Sequence, residues 1–477
     1  MKIRPTLPRL ALLATTLAAL ALAGVPSAGA TTSPAAVTPS TTVDALAVPA
    51  GAIKHVIVID LENESYSTTF GPGSVATYLN QTLLTKGELI PQYYATGHVS
   101  LDNYLAQVSG QAPNQVTNSD CQGSYLDMLD AGNPAPLDPN QSLYPGQVDG
   151  QGCVQPTVAP TIGDQLDALH VHAKSPTWRE YAQDMGNDPT RDGGTTDTSA
   201  GAAGGTVCAH PALGASDPTN GATASDQYAN RHNPFVYFHS VIDDASRCDS
   251  HVVPLGTIQV GTPSHIGTTP LADTFSGHLV ADLANRAATP AFMFISPNLC
   301  NDGHDGTCAG TNTEGTKTGG LVGADLWLKH WMPLILGSHA YKDGSTLVVL
   351  TFDEGNPLTD QAACCNEQPG PNWAYPGASP LLLSYYSSFG VTPPSKPGDM
   401  PGGGQIGAVV FNARYIKGGT TDTTGSYNHY SALRSYEDLL GITSGGADGQ
   451  GHLGFAAATG LVPFGTDVFN AHTTPST

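Results

Sequence analysis

The stretch 55-HVIVIDLENESYSTTFG-71 decides how this chain is read. His55–Ile59 is a short, β-branched apolar run, the pattern of a strand buried on both faces, and it runs straight into Asp60, Glu62, Asn63 and Glu64. Charged residues make up only 12% of the chain, so three carboxylates and an amide at one strand end need a reason.

Similar apolar runs recur at 235-FVYFHSVI, 291-AFMFISP and 346-TLVVLTFD, with a weaker one at 407-GAVVFNA. Helical patterns lie between and after them, near 160-PTIGDQLDALHVHA, 274-TFSGHLVADLANRA, 322-VGADLWLKHWMPLILGS and 430-YSALRSYEDLLGI. Apolar strands separated by helices predict an α/β fold, a mostly parallel central sheet with helices on both faces. In such sheets functional groups gather where loops leave the carboxyl ends of the strands. Three polar clusters sit at such places: 60-DLENES, 296-SPNLCNDGHD and 353-DEGN. Two further segments carry histidines, 97-GHVSLDNY-104 and 426-SYNHYS-431. Carboxylates mixed with Asn and His suit a divalent cation, Zn, Mn, Mg or Ca.

The 477 residues hold 18 Lys and Arg against 40 Asp and Glu, a net charge of −22, which argues against nucleic acid as a partner. The first thirty residues read as a secretory signal peptide, with basic residues through Arg9, an apolar run Leu10–Leu22 and a small-residue site at Ala28-Gly29-Ala30. This predicts an exported protein with no integral membrane segment after cleavage. Residues 31–52 form a Ser/Thr/Pro/Ala-rich lead-in, residues 53–468 the folded domain with a loop-rich insertion at about 186–222, and residues 469–477 a tail. Eight cysteines fit an oxidising compartment. Pairing neighbours, 121 with 153, 208 with 248 and 300 with 308, is the economical arrangement among many; Cys364 and Cys365 either bridge each other or pair elsewhere.

Four segments, HVIVIDLENESYSTTFG, GHVSLDNYLAQVSG, TLVVLTFDEG and YNHYSALRSYEDLLG, resemble in their order the motifs of the phosphoesterase family that contains bacterial phospholipases C and secreted acid phosphatases. That family is a branch of the alkaline phosphatase superfamily, so the resemblance implies a three-layer α/β/α sandwich, alkaline-phosphatase-like. It also implies a metal-dependent phosphoesterase whose substrate is a small phosphate ester or a phospholipid headgroup. Carried onto this sequence, it makes Glu62, Asn63, Asp353 and Glu354 metal-site residues, Ser100 the nucleophile and Asn103 an amide that steadies phosphoryl oxygens. His429 matches the late histidine; independently of the resemblance, His98 or His429 is expected to serve as acid or base because imidazole titrates near working pH. Asp302, His304 and Asp305 stand where related enzymes place further ligands, at a spacing that is not a close match. Asp353 is followed by Glu354 where two-metal alkaline phosphatases have His, which favours one ion over two.

The chemistry is coherent without the name. A serine hydroxyl needs a base or a metal to become a nucleophile, and a divalent ion also neutralises charge on the transferring phosphoryl group. The chain has no GxSxG elbow, no HExxH and no Walker loop, and Ser100-Leu101-Asp102-Asn103 lacks the Pro and Arg of sulfatases. The competing reading is an exported, non-catalytic phosphate- or metal-binding protein on the same scaffold. The bland reading of His239 is a satisfied structural histidine, and that of Trp178, Trp327, Trp331 and the Tyr93-Tyr94 pair is core.

Overall fold

A computed structural model describes residues 48–170, 175–193, 195–196, 206–379, 392–393, 395–396 and 399–471. The signal peptide, the lead-in up to residue 47, part of the 186–222 insertion and the tail beyond residue 471 lie outside the described residues.

The central sheet has eight strands: β1 His55–Leu61, β2 Glu88–Ile90, β3 Trp178–Ala182, β4 Val252–Pro254, β5 Phe292–Ser296, β6 Thr346–Phe352, β7 Ala408–Phe411 and β8 Thr420–Thr421. Their order across the sheet is β8-β2-β7-β6-β1-β5-β3-β4. β6, β1, β5, β3 and β4 run parallel, whereas β7 is antiparallel to both β6 and β2. β1 lies in the middle, every residue buried, with Ile59 opposite Ile295 on one side and Leu350 on the other.

Helices α1 Ser100–Ser109, α2 Ile162–Leu169, α3 Ala245–His251, α4 His278–Ala284, α5 Gly320–Gly337 and α6 His429–Leu439 accompany the sheet. Gln107 of α1 donates to Asp60, and Tyr436 of α6 packs on Phe292, so both helices cover the face that carries Val56, Val58 and Asp60. The residues of the opposite face, Ile57, Ile59, Met293 and Ile295, are buried as completely. There α4 and α5 pack on the short helix His339–Lys342 that leads into β6. The result is a three-layer α/β/α sandwich with a mostly parallel sheet.

One strand reading is corrected. The run 235-FVYFHSVI is not a strand: Pro234–Tyr237 is a 3-10 turn and His239–Ile242 a short helix. Pro234 stands at its first position, where a fixed φ and a missing N–H favour a helical start. The parallel neighbour of β5 is instead 178-WREYA-182. All four disulfides form between sequence neighbours: Cys121–Cys153, Cys208–Cys248, Cys300–Cys308 and the vicinal Cys364–Cys365. Trp178, Trp327, Trp331 and Tyr93 are core, and His239 bonds Asp127 and Asp243 away from the strand ends.

Candidate active site

β1 and β6 end side by side, and the loops leaving them carry Glu62 and Asp353. Asn63 ties these ends together from a left-handed backbone (φ 59°): its N–H donates to Asp353 Oδ1 at 2.8 Å and its amide to Glu62 Oε2 at 3.2 Å. Asn tolerates that conformation better than most residues. The loop after β5 adds Asp302, whose carbonyl accepts the Glu62 N–H at 2.8 Å.

A histidine not singled out in the sequence completes the group. His232, on the 3-10 turn Asn230–His232, has Nε2 at 3.2 Å from Glu62 Oε1 and Nδ1 at 3.3 Å from Asp302 Oδ2. Neither contact has hydrogen-bond geometry, so both ring nitrogens and Asp302 Oδ2 are buried without a hydrogen-bond partner, as is Asp353 Oδ2. One ligand atom from each of Glu62, His232 and Asp302 lies within 4.8 Å of the others. Burial pushes the carboxyls of Glu62, Asp302 and Asp353 well up, reinforced by neighbouring carboxylates (Asp353 and Asp302 for Glu62, Asp305 and Asp353 for Asp302, Glu354 for Asp353), and pushes His232 well down. Buried polar atoms are almost always hydrogen-bonded, so a neutral imidazole and carboxylates aimed at one another without bonds are a donor set that a divalent cation satisfies. The residues fit such an ion.

Ser100 opens α1 and donates its hydroxyl to Glu62 Oε2 at 2.8 Å; Tyr104, one turn on, donates to Glu62 Oε1 at 2.7 Å and stacks on His232 at 5.3 Å. The N–H of Leu101 is capped by Asp120 Oδ1 at 3.0 Å, and Arg231 Nε lies 3.7 Å from Asp120 Oδ2. Burial works against the Arg231 charge, but Asp120, Glu62 and Asp302 push its pKa up overall, so a fixed cation borders the acidic cluster. His304 Nε2 is 3.2 Å from Arg231 Nη2, and its Nδ1 is 2.8 Å from Asp305; these two residues lie at the outer edge, beyond the cluster.

The remaining expected site residues are placed differently. Asn103 does not face the cluster: its Oδ1 accepts from Thr96 N and Gly97 N, and its Nδ2 donates to Gly97 O and Val99 O. Glu354 bonds His98 Nδ1 and accepts the Val99 N–H at 3.3 Å, and does not join the group of Glu62, His232 and Asp302. The other His98 nitrogen lies 2.8 Å from the Asp360 carbonyl, and burial pushes its pKa down to about 4. His429 Nε2 donates to the Asp353 carbonyl at 2.8 Å, with Tyr93 OH 3.4 Å from Nδ1; burial lowers this histidine to about 4 as well. Both ring nitrogens of each histidine have partners in this structure, and neither ring is in the group of Glu62, His232 and Asp302. The physical reason is common to all four: in the folded chain their polar atoms are spent on loop backbone or on each other.

No family model matches the chain. The chain is similar to curated acid phosphatases. A phosphate-repressible acid phosphatase of Penicillium chrysogenum is 26% identical over 395 residues, which cover 82% of this chain and 60% of that protein. A probable acid phosphatase of Kluyveromyces lactis is 24% identical over 308 residues, 64% of this chain and 49% of its own length. An acid phosphatase of Aspergillus fumigatus is 26% identical over 274 residues, 57% of this chain and 39% of its own. The chain thus spans less than two thirds of each of these relatives. Among solved structures, a protein in the alkaline phosphatase superfamily from Vibrio parahaemolyticus aligns over 82% of this chain and 67% of its own, at 12% identity and a TM-score of 0.37. Alkaline phosphatase PafA aligns over 89% of this chain and all of its own, at 10% identity and a TM-score of 0.34.

Proposed function

We propose that this chain is an exported, metal-dependent phosphoesterase that hydrolyses phosphate monoesters through a phosphoseryl intermediate at Ser100. The observation that carries the reading is the junction of Ser100 with an unsatisfied cation set through Glu62. The similarity to acid phosphatases supports the same reaction class. Export rests on the signal-like N-terminus and four disulfides; among the described residues no helix is long and apolar enough to cross a membrane.

Glu62, His232, Asp302 and Asp353 would hold the ion, and Ser100 is bonded to one of these residues, Glu62. A bound divalent ion supplies charge neutralisation to the phosphoryl oxygens and lowers the pKa of a hydroxyl beside it. Glu62 accepts the Ser100 proton as the oxygen attacks phosphorus, and the ester oxygen departs as the P–O bond breaks. Water then cleaves the phosphoseryl bond and frees phosphate. Tyr104 and Asn63 keep Glu62 in register throughout.

The test is hydrolysis of a chromogenic phosphomonoester beside a phosphorylcholine diester by the purified protein, from acid to alkaline pH, with chelator and with added Zn, Mn, Mg or Ca. Chelator-sensitive turnover favouring the monoester is expected. Preference for the diester would move the substrate class to phospholipid headgroups. Tight metal or phosphate binding with no turnover would instead support the non-catalytic binding protein.

A further inference from the structure

The residue before Ser100 has a backbone that its side chain should refuse. Val99 has φ 109° and ψ 154°, a region populated almost only by glycine, and it is β-branched and buried. It is also the N-cap of α1, a position that ordinarily takes β-region angles with negative φ. Relaxing Val99 to such angles would redirect the chain as it enters α1 and turn Ser100 with it.

The surroundings show what holds the turn. Both polar groups of the Val99 backbone are taken by side chains: its N–H donates to Glu354 Oε2 at 3.3 Å and its carbonyl accepts from Asn103 Nδ2 at 3.1 Å. Asn103 also binds Thr96 N at 2.9 Å, Gly97 N at 3.1 Å and Gly97 O at 2.9 Å. Asn118 donates to the His98 carbonyl at 2.6 Å and to Asp102, and the His98 N–H reaches the Pro376 carbonyl at 2.9 Å. Gly97 lies so close to Asp102 that a Cβ there would sit 2.7 Å from its carboxylate, so the turn rests directly on the first turn of α1. Strain of this kind persists only where the surroundings over-determine it, and it concentrates at functional sites.

We propose that Asn103 is a positioning residue for the nucleophile: with Glu354 it holds Val99 in a glycine-type conformation and thereby aims the Ser100 hydroxyl at Glu62. The inference rests on the reading of Ser100 as nucleophile. Asn103 touches neither the cation set nor the reacting oxygen; it acts through the backbone of residue 99.

A double-mutant cycle between Val99→Gly and Asn103→Ala in the full chain tests this, with kcat, KM, bound metal and Tm measured for every member. Glycine adopts the residue-99 angles without strain, so the clamp is less needed in its presence. Asn103→Ala alone is expected to lower kcat about 100-fold, the scale of a small misplacement of a reacting group, with KM and metal content within about twofold. In the Val99→Gly background the same substitution is expected to cost roughly tenfold or less, and to lower Tm by at least about 2 °C less than in the native background. Equal losses of kcat and of Tm in the two backgrounds would overturn the proposal. So would a large rise in KM together with lost affinity for inorganic phosphate in Asn103→Ala, since that marks direct contact. If Asn103→Ala does not accumulate folded, Asn103→Ser takes its place under the same criteria. If the native protein turns over no phosphate ester, the functional reading fails, and the Tm arm still decides the clamp.

Discussion

Two neighbouring regions of this molecule use the same residue types at the same depth and bond them in opposite ways. At the ends of β1, β5 and β6, Glu62, Asp302, Asp353 and His232 are buried and leave both imidazole nitrogens and two carboxylate oxygens without hydrogen bonds. In the turn that precedes α1 and the tie behind Asp353, Asn103, His98, Glu354 and His429 are buried as deeply and bonded. A satisfied buried network rigidifies, whereas an unsatisfied one costs free energy unless something else completes it. Under the proposed function, the first region is the place for a cation and substrate and the second the frame that aims Ser100.

The largest effect should come from the atom where the two regions meet. Ser100→Ala is expected to reduce turnover by at least about 10³-fold, with far-UV CD and bound metal unchanged. Full activity in that variant would remove the nucleophile assignment, and with it the meaning of the frame.

A smaller effect is expected from Tyr104→Phe, which deletes only the hydroxyl bonded to Glu62. Groups that orient a metal ligand typically contribute about 10- to 100-fold in affinity or activity, so a loss of that size, read by metal titration and kcat, sharpens the division. Unchanged affinity and rate would show that Glu62 needs no orienting partner.

The smallest effect concerns an orphan atom outside both regions. Glu88 on β2 is buried, its Oε2 has no hydrogen-bond partner, and burial, with Asp422 and Asp467 nearby, raises its pKa to about 8. A carboxyl raised in the fold above its ordinary value of 4.5 holds a proton that the unfolded chain releases. Its contribution is therefore fully present below about pH 4.5 and is lost as pH rises towards 8. Glu88→Gln should leave activity unchanged and flatten the fall in Tm over that window, whatever metal is added. A metal-dependent Tm difference for this variant would mean that an orphaned carboxylate alone marks a cation site, which would blur the comparison.

Much of the frame was legible in the sequence. β1, β5, β6 and β7 announced themselves as continuous apolar runs, and α2, α5 and α6 by their helical spacing, because burial on both faces or along one stripe leaves a periodic trace. β3 left none: WREYA mixes Arg179 and Glu180 with aromatics, and only pairing with β5 makes it a strand. The apolar run at 235–242 had the opposite problem, since a short buried run looks alike in a strand and in a buried helical turn, and Pro234 was the cue that favoured the latter.

The site was legible in part for a related reason. Strand-end position drew attention to Glu62, Asp302 and Asp353; the structure groups Glu62 with Asp302 and bonds Ser100 to Glu62, and Asn63 ties Asp353 to Glu62. It could not separate them from Asn103, His98, Glu354 and His429, because a residue's type does not record whether its hydrogen bonds are met by backbone many residues away. His98 and Glu354, for instance, are 256 positions apart. His232 lies just ahead of the run 235–242 that was read as a strand and drew no reading of its own; the Arg-His-Asn run ahead of Pro234 was the available signal.

The most direct test of the division is calorimetric titration of Mn or Zn into four variants of the full chain: His232→Ala, Asp302→Asn, His98→Ala and Glu354→Gln. The account predicts that the first two lose about 100-fold or more in affinity while the last two stay within roughly threefold of the native protein. Equal loss in all four, or native affinity in His232→Ala and Asp302→Asn, would contradict it.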